Sequence, residues 1–289
     1  MTSKRTLAHQ LTAMAPVRTV CRVLGLAPSS YYYTPRPKDD LTVLGWMEEV
    51  LVTHPTYGYR RLEAELSRRG HPVNHKKLQR ILQQHDLARP QRRRIYTTVS
   101  KHPYRRFANL LIGLEVHRPD QVWCADITYI RLPTRFVYLA IVLDVYTRAI
   151  RGWSLGTSLS SDLATTALKN ALQHGVPAIH HSDQGIQYAA EGYVALLQKH
   201  QVRPSMAARG RPRGNPYAER VIRTIKEEEV YLNEYRSVAE AQEQVGRFIE
   251  DICNQKRIHS SLGYLTLAEY EQQWHQQPAL ELLAPTLGG

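Results

Sequence analysis

Three acids stand where carboxylate chemistry could converge. Asp126 sits in the middle of VWCADITYI, residues 122–130. Alternation puts Trp123, Ala125, Ile127 and Tyr129 on one face of a strand and Cys124, Asp126, Thr128 and Ile130 on the other. An ionised carboxylate at the centre of a half-buried strand is costly unless a metal, a cation or several hydrogen bonds compensate it. Asp183 ends the short strand pattern AIHHSD and meets the turn QGIQY, at the kind of strand edge where α/β sheets place ligands. Glu219 falls in the first turn, or just past it, of the helix read from NPYAERVIRTIKEEE, with Asn215 as N-cap and Pro216 at the first helical position. Lys226, seven residues on, shares its face. Three converging carboxylates carry three negative charges, two Mg²⁺ carry four positive ones, and a bound phosphodiester restores neutrality. That is the balance of two-metal phosphoryl transfer, and oxygen-only ligands suit Mg²⁺ or Mn²⁺ rather than zinc. Each acid also has a plainer reading: Asp126 as a buried hydrogen-bond acceptor, Asp183 as a turn former, Glu219 as a solvent-facing helix residue.

The elements that must position these groups are mixed. FVYLAIVLDVYTR contains a nearly continuous apolar run, as expected of a central strand, and AIRGWSL closes a meander. SDLATTALKNALQHG reads as a helix, AIHHSD as a strand, EGYVALLQKH as a helix and VRPS as a last brief strand. Strands followed by helix and strand in alternation give a mixed α/β sheet flanked by helices. Val238, Ala241, Val245, Phe248, Ile249 and Ile252 mark a further helix, read as core packing. Asp144 is a candidate fourth acid, read instead as a structural partner of Arg148. His180 and His181 are read as packed or hydrogen-bonded histidines.

The first third of the chain differs. Val17, Val20, Cys21 and Leu24, followed by Gly25, give a small helix-turn-helix over 1–33. Leu44, Met47 and Leu51 indicate a helix. Tyr59, Leu62 and Leu66, then Leu78, Ile81, Leu82 and His85 behind an Asn74 cap, indicate a second helix-turn-helix within 41–88. Its second helix carries Lys76, Lys77 and Arg80, as a DNA-reading helix would. Residues 1–106 hold 20 basic and 7 acidic side chains, whereas 107–289 hold 18 and 19, so the +12 net charge lies wholly in the first part. Such asymmetry fits a polyanion partner. Residues 89–106, with Arg92, Arg93 and Arg94 and no acid, read as an arm that tracks phosphates. Arg209, Arg211 and Arg213 in the loop before Glu219, and Arg223 on its helix, are further candidate DNA contacts. Three dispersed cysteines exclude a disulfide framework and a thiolate zinc site, and no apolar run approaches the roughly 20 residues a bilayer requires. A soluble protein of the cytoplasm is expected.

WCADITYI, HSDQGIQY and NPYAERVIRTIKEE, in that order and with 35 residues between Asp183 and Glu219, resemble the three catalytic motifs of the DDE transposase and retroviral-integrase superfamily. YGYRRLEAELSRRGHPVNHKKLQRIL and NQKRIHSSLGYLTLAEY resemble the second helix-turn-helix region and the C-terminal signature of the second-frame products of bacterial insertion sequences. The resemblance covers essentially the whole chain. It implies a ribonuclease H-like catalytic core over 107–275, preceded by an all-α helix-turn-helix DNA-binding region and followed by a tail. It also implies Asp126, Asp183 and Glu219 as metal ligands for two Mg²⁺, with Mn²⁺ able to substitute, and Lys226 as a contact to DNA near the cleaved bond. The expected partners are terminal and target DNA in the bacterial nucleoid, other copies of this chain, and the product of an upstream frame. Gly214 and Ala207 depart from the usual Asp and Ser of the family, which bears on local DNA contacts. A nuclease without strand transfer, or a DNA-binding regulator derived from a transposase, fits the same residues.

Overall fold

The computed structural model describes residues 4–33, 40–85, 87, 107–207 and 214–276. These form two compact units, residues 1–45 and 46–289. In the first, helices α1 (Lys4–Leu11), α2 (Val17–Leu24) and α3 (Pro28–Tyr32) are present, α1 being an addition to the two read from sequence. Gly25 ends α2 in the left-handed region (φ 57°), where its N–H reaches the Arg22 carbonyl; only glycine adopts that conformation without a Cβ penalty.

Helix α4 (Asp40–Thr53) runs across the unit boundary. Its buried residues are Val43, Met47 and Val50, so the covered face is set one residue away from that expected from Leu44 and Leu51. Helix α5 (Tyr59–Arg68) buries Leu62 and Leu66, and α6 (His75–Gln84) buries Leu78, Ile81 and Leu82. Asn74 caps α6, its side chain accepting the Lys76 N–H at 2.9 Å. His85, expected on the inner face, is exposed where α6 ends. The helix stops one residue short of carrying it inward.

A five-stranded sheet forms the centre of the second unit, in the order β3-β2-β1-β4-β5. Strands β1 (Val122–Arg131), β2 (Phe136–Asp144) and β3 (Ile150–Gly156) form the expected antiparallel meander. Strands β4 (Ile179–Ser182) and β5 (Arg203–Met206) run parallel to β1 on its other side. Helices α7 (Ser161–Ala171), α8 (Ile186–Ala189), α9 (Glu191–Lys199), α10 (Pro216–Ile225), α11 (Val238–Arg247) and α12 (Leu267–Gln276) surround it, with a short hairpin of β6 (Ile258–His259) and β7 (Leu265–Thr266). Two helices relax into π-helical stretches, α10 into Lys226–Val230 and α11 into Phe248–Lys256.

The alternation read in β1 decides what covers each face. Cys124 and Ile130 pack with Ala218, Ile222 and Ile225 of α10 and Val245 and Ile249 beyond it. Trp123 and Ala125 pack with Leu163, Ala167 and Leu168 of α7 and with Tyr193 and Leu197 of α9. The strand is therefore covered on both faces, not one. Each large side chain so buried contributes about 1.5–3 kcal/mol. Asp126 shares its face with Cys124, so it points toward the layer that contains the Glu219 helix.

Candidate active site

Sheet register brings the first two acids together. Parallel pairing matches Trp123 with His180 and Cys124 with His181. Asp183 lies two residues past that pairing, just beyond the end of β4, and its charge reaches Asp126. Asp183 is exposed, and its Oδ1 accepts the Gly185 N–H at 2.8 Å. A Cβ at Gly185 would stand 2.9 Å from that same oxygen, so any other residue there would have to displace the Asp183 carboxylate.

The third acid arrives by a tether. Pro216 opens α10, and Glu219 lies in its first turn. Asn215 occupies the N-cap position, as expected, but its side chain does not cap the helix. It is buried, and its Nδ2 donates to the carbonyl of Ala125 at 2.8 Å. One hydrogen bond thus fastens the start of the Glu219 helix to the residue before Asp126. Asn215→Ala is expected to keep the fold and to lower the rate of any reaction at the acids roughly tenfold or more, because an ångström of misplacement can cost that much. A steady-state rate equal to the parent's would show that Glu219 is placed by core packing alone.

Electrostatics shows Asp183 and Glu219 acting on Asp126. Burial, then the charge of Asp183 and that of Glu219, raise the carboxyl of Asp126; the Ile127 N–H and Lys226 oppose this, and the balance lies at about 7. Lys226 starts the π-helical stretch with its Nζ 4.5 Å from the centre of the Tyr129 ring. Burial lowers its pKa, and Asp126 raises it. Among the described residues, no three His, Cys, Asp or Glu side chains are grouped so as to hold a metal ion as they stand. The acids form a region of mutual repulsion rather than a closed cage.

Sequence reading missed Tyr188. Its hydroxyl is buried, has no hydrogen-bond partner among the described residues, and feels the charges of both Asp126 and Asp183. The signal available was its place in HSDQGIQY, five residues after Asp183. The two histidines are structural, as read. His180 Nε2 pairs with the Tyr193 hydroxyl at 2.9 Å, and burial holds the ring neutral, its pKa pushed down to about 3. His181 makes a complete chain: the Leu110 N–H donates to Ser205 Oγ, the Ser205 hydroxyl donates to Nδ1, and Nε2–H donates to the carbonyl of Gly214. This tautomer follows because a carbonyl only accepts. Asp144 is structural too, but its partners are the backbone N–H groups of Asp120 and Thr147 at 2.6 and 2.7 Å. The Arg148 side chain turns instead to the Val145 carbonyl and the Tyr217 ring.

Other sequence-predicted residues lie elsewhere. Arg223 shares the helix of Glu219 and is half-buried. Lys76 is exposed on α6, and Lys77 and Arg80 are half-buried there, with Arg80 reaching Gln84 at 2.7 Å. Arg92, Arg93, Arg94, Arg209, Arg211 and Arg213 fall outside the described residues.

Comparison with known proteins agrees with the motifs. Models described as an integrase core domain match residues 116–212 and 200–266, and one described as an HTH-like domain matches 38–95. The transposase InsF of insertion sequence IS3A from Escherichia coli K12 is 30% identical, covering 89% of this chain and 94% of its own. The chain belongs to the DDE transposases of bacterial insertion sequences. A 31 kDa protein of insertion element IS600 from Shigella sonnei is 32% identical to this transposase over 90% of its length and 100% of the relative's. The putative transposase InsK of IS150 from Escherichia coli K12 is 28% identical over 92% and 96%. Solved structures similar to the transposase include the HTLV-2 integrase catalytic core domain in complex with magnesium, at 16% identity and TM-score 0.42 over 53% of this chain and 97% of that one. A simian T-cell lymphotropic virus intasome matches at 17% identity and TM-score 0.46 over 78% and 74%. The transposase is thus a polynucleotidyl transferase with an integrase core and a helix-turn-helix-like region before it.

Proposed function

We propose that the enzyme nicks DNA at the ends of an insertion sequence and then uses the freed 3′-OH to attack a second phosphodiester, both steps occurring at Asp126, Asp183 and Glu219. What supports this reading is that the charges of Asp183, past the end of β4, and Glu219, on α10, both reach Asp126 on β1, with one hydrogen bond tethering the start of α10 to β1. The donor set fits a divalent cation: it is oxygen only, the charges of Asp183 and Glu219 raise Asp126, and the buried Tyr188 hydroxyl beside it has no partner among the described residues. Asp126, Asp183 and Glu219 would hold two Mg²⁺, or Mn²⁺ in their place. When bound, such a pair activates the attacking oxygen and stabilises the charge on the leaving oxygen.

The chain's own groups do the rest. Lys226 places a positive charge at the acid cluster, where a phosphate of the cleaved strand needs one. Asn215 holds the Glu219 helix to β1, and His181 fastens Gly214, at the start of that segment, to β4 and β5. Lys76, Lys77, Arg80 and Arg223, with the arginines at 92–94 and at 209, 211 and 213, supply phosphate contacts along the DNA. Two element ends are paired by copies of this chain, with or without an upstream-frame product joined to it.

The test is incubation of the purified chain with labelled duplex carrying the ends that flank its own gene, in Mg²⁺ or in Ca²⁺. Nicked and joined products in Mg²⁺, with binding alone in Ca²⁺, are the expected result. Nicks that never become joints would make it a nuclease. Binding in both ions without cleavage, repeated with the upstream frame attached, would make it a DNA-binding regulator.

A further inference from the structure

Helix α10 has two working flanks. Glu219, Arg223 and Lys226 follow one another at i, i+4 and i+7 and face the acids, while Ala218, Ile222 and Ile225 face the core. Tyr217, Arg220, Val221 and Thr224 lie on the remaining flank, about 100–160° round from Glu219. There they line a cleft of ≈ 390 Å³. Its other walls come from three distant segments: Arg61 of α5, Arg148 at the turn after β2, and Arg257 to Ser261 around β6.

The chemistry of this cleft is one-sided. Arg61, Arg148, Arg220 and Arg257 line it, and no carboxylate does among the described residues. Behind the wall, Glu228 accepts from Arg257 Nε and Nη2 at 2.8 Å and from Arg61 Nη1 at 3.1 Å. One carboxylate thus offsets two guanidinium groups, and a positive charge is left over. Arg148 is held with its guanidinium carbon 4.1 Å from the centre of the Tyr217 ring. Arg220 is exposed on the helix, and Ser260 and Ser261 are exposed on the wall that follows β6. His259 reports the local field: burial, then the charges of Arg257, Arg61 and Arg148, push its pKa down to about 3. Beside the apolar surface of Pro216, Tyr217 and Val221, the charged groups of the wall are all cationic hydrogen-bond donors, which recognise a phosphate oxygen and repel a cation.

We propose that this cleft seats a backbone phosphate of DNA, bound between Arg220 and Arg148 on one side and the Ser260 and Ser261 hydroxyls on the other. The assignment rests on the reading of the enzyme as one that joins DNA strands. It makes the cleft a second DNA contact, on the flank of α10 turned away from the acids. The Glu219 helix then lies between two phosphates, one at the reacting bond and one behind it. The contact is to backbone alone, so it positions DNA without reading sequence.

Binding of labelled duplex to the full chain, measured in Ca²⁺ over a range of KCl concentrations, tests this. Arg220→Ala should lower the slope of log Kd against log salt by about 0.9 and weaken binding roughly fivefold or more, equally on terminal-repeat and unrelated duplex. Arg220→Glu should weaken it further. Arg247→Ala, which removes an exposed charge outside the cleft, should leave the slope unchanged; an equal fall there would reduce the effect to general charge and overturn the proposal. An unchanged slope in both Arg220 variants, with melting temperatures equal to the parent's, would also overturn it. A melting temperature raised by inorganic phosphate in the parent but not in Arg220→Ala, with the DNA slope unchanged, would assign the cleft to a small free phosphate instead. A parent chain that binds no duplex would remove the DNA-joining reading and this proposal together, whereas a parent that binds and joins while Arg220 is silent removes this proposal alone.

Discussion

Asp183→Asn is expected to abolish nicking and joining, by roughly 10³-fold or more, which is about 4 kcal/mol in the barrier. The substitution keeps the shape of the side chain, and its amide oxygen can still accept the Gly185 N–H, so the turn that follows β4 survives. What it removes is one full negative charge from the pair set by the β1–β4 register. Under the proposed mechanism that charge is needed twice, to hold the cation and to place it against Asp126. Duplex binding in Ca²⁺ should stay close to the parent's, because the proposed phosphate contacts lie on other side chains. Gel analysis of labelled products gives the readout. Cleavage at the parent rate in the variant would mean that the acids do another job and that the reaction has its centre elsewhere.

Glu228→Gln is expected to cost about 3 kcal/mol of stability at neutral pH, which lowers the melting temperature by on the order of 10 °C. Glu228 and Arg257 are almost wholly buried, with 8% and 3% of their side-chain surfaces exposed. Burial alone would raise the carboxyl, but the hydrogen bonds and charge of Arg257, with those of Arg61, hold it down to about 2. A neutral amide would leave two guanidinium groups facing each other without compensation. The sign of the pH dependence follows from the lowered value. The stabilisation is fully present above the ordinary value of 4.5 and is lost as pH falls from there through about 2. Melts of parent and variant should therefore differ most at pH 7 and draw together toward pH 3. Equal melting temperatures at pH 7 would show that the pair contributes nothing net.

How much of this was legible beforehand depends on how far each group reaches. Asp126 stands out as a candidate because a charge in an apolar strand is a local anomaly, and Asp183 because a strand end followed by a turn is local too. The meander and the alternating helices were readable from periodicity. Asn215 was placed correctly in the helix start, yet its role was not readable, since its amide donates to a carbonyl 90 positions earlier in the chain. The Arg61–Glu228–Arg257 cluster was invisible for the same reason: its members come from three remote segments. Asp144 shows a subtler failure. Its neighbour Arg148 was the obvious partner by sequence, but two backbone N–H groups were nearer and better aimed. His85 was assigned inward by period alone, and the end of α6 intervened.

The segment between β5 and α10 is pinned at both ends to one strand. The N–H of Ala207 donates to the carbonyl of Ser182, and the carbonyl of Gly214 accepts from His181, the adjacent residue of β4. Ala207 and Gly214, the two ends that any loop between them must join, are therefore each fixed to β4 independently of that loop's length. The free energy of closing such a loop grows only logarithmically, by about 0.6 kcal/mol per doubling. Insertions and deletions there should leave Glu219 where it is. The 35-residue interval between the second and third acids is in that sense not a ruler, and selection on this segment is free to act on what it touches.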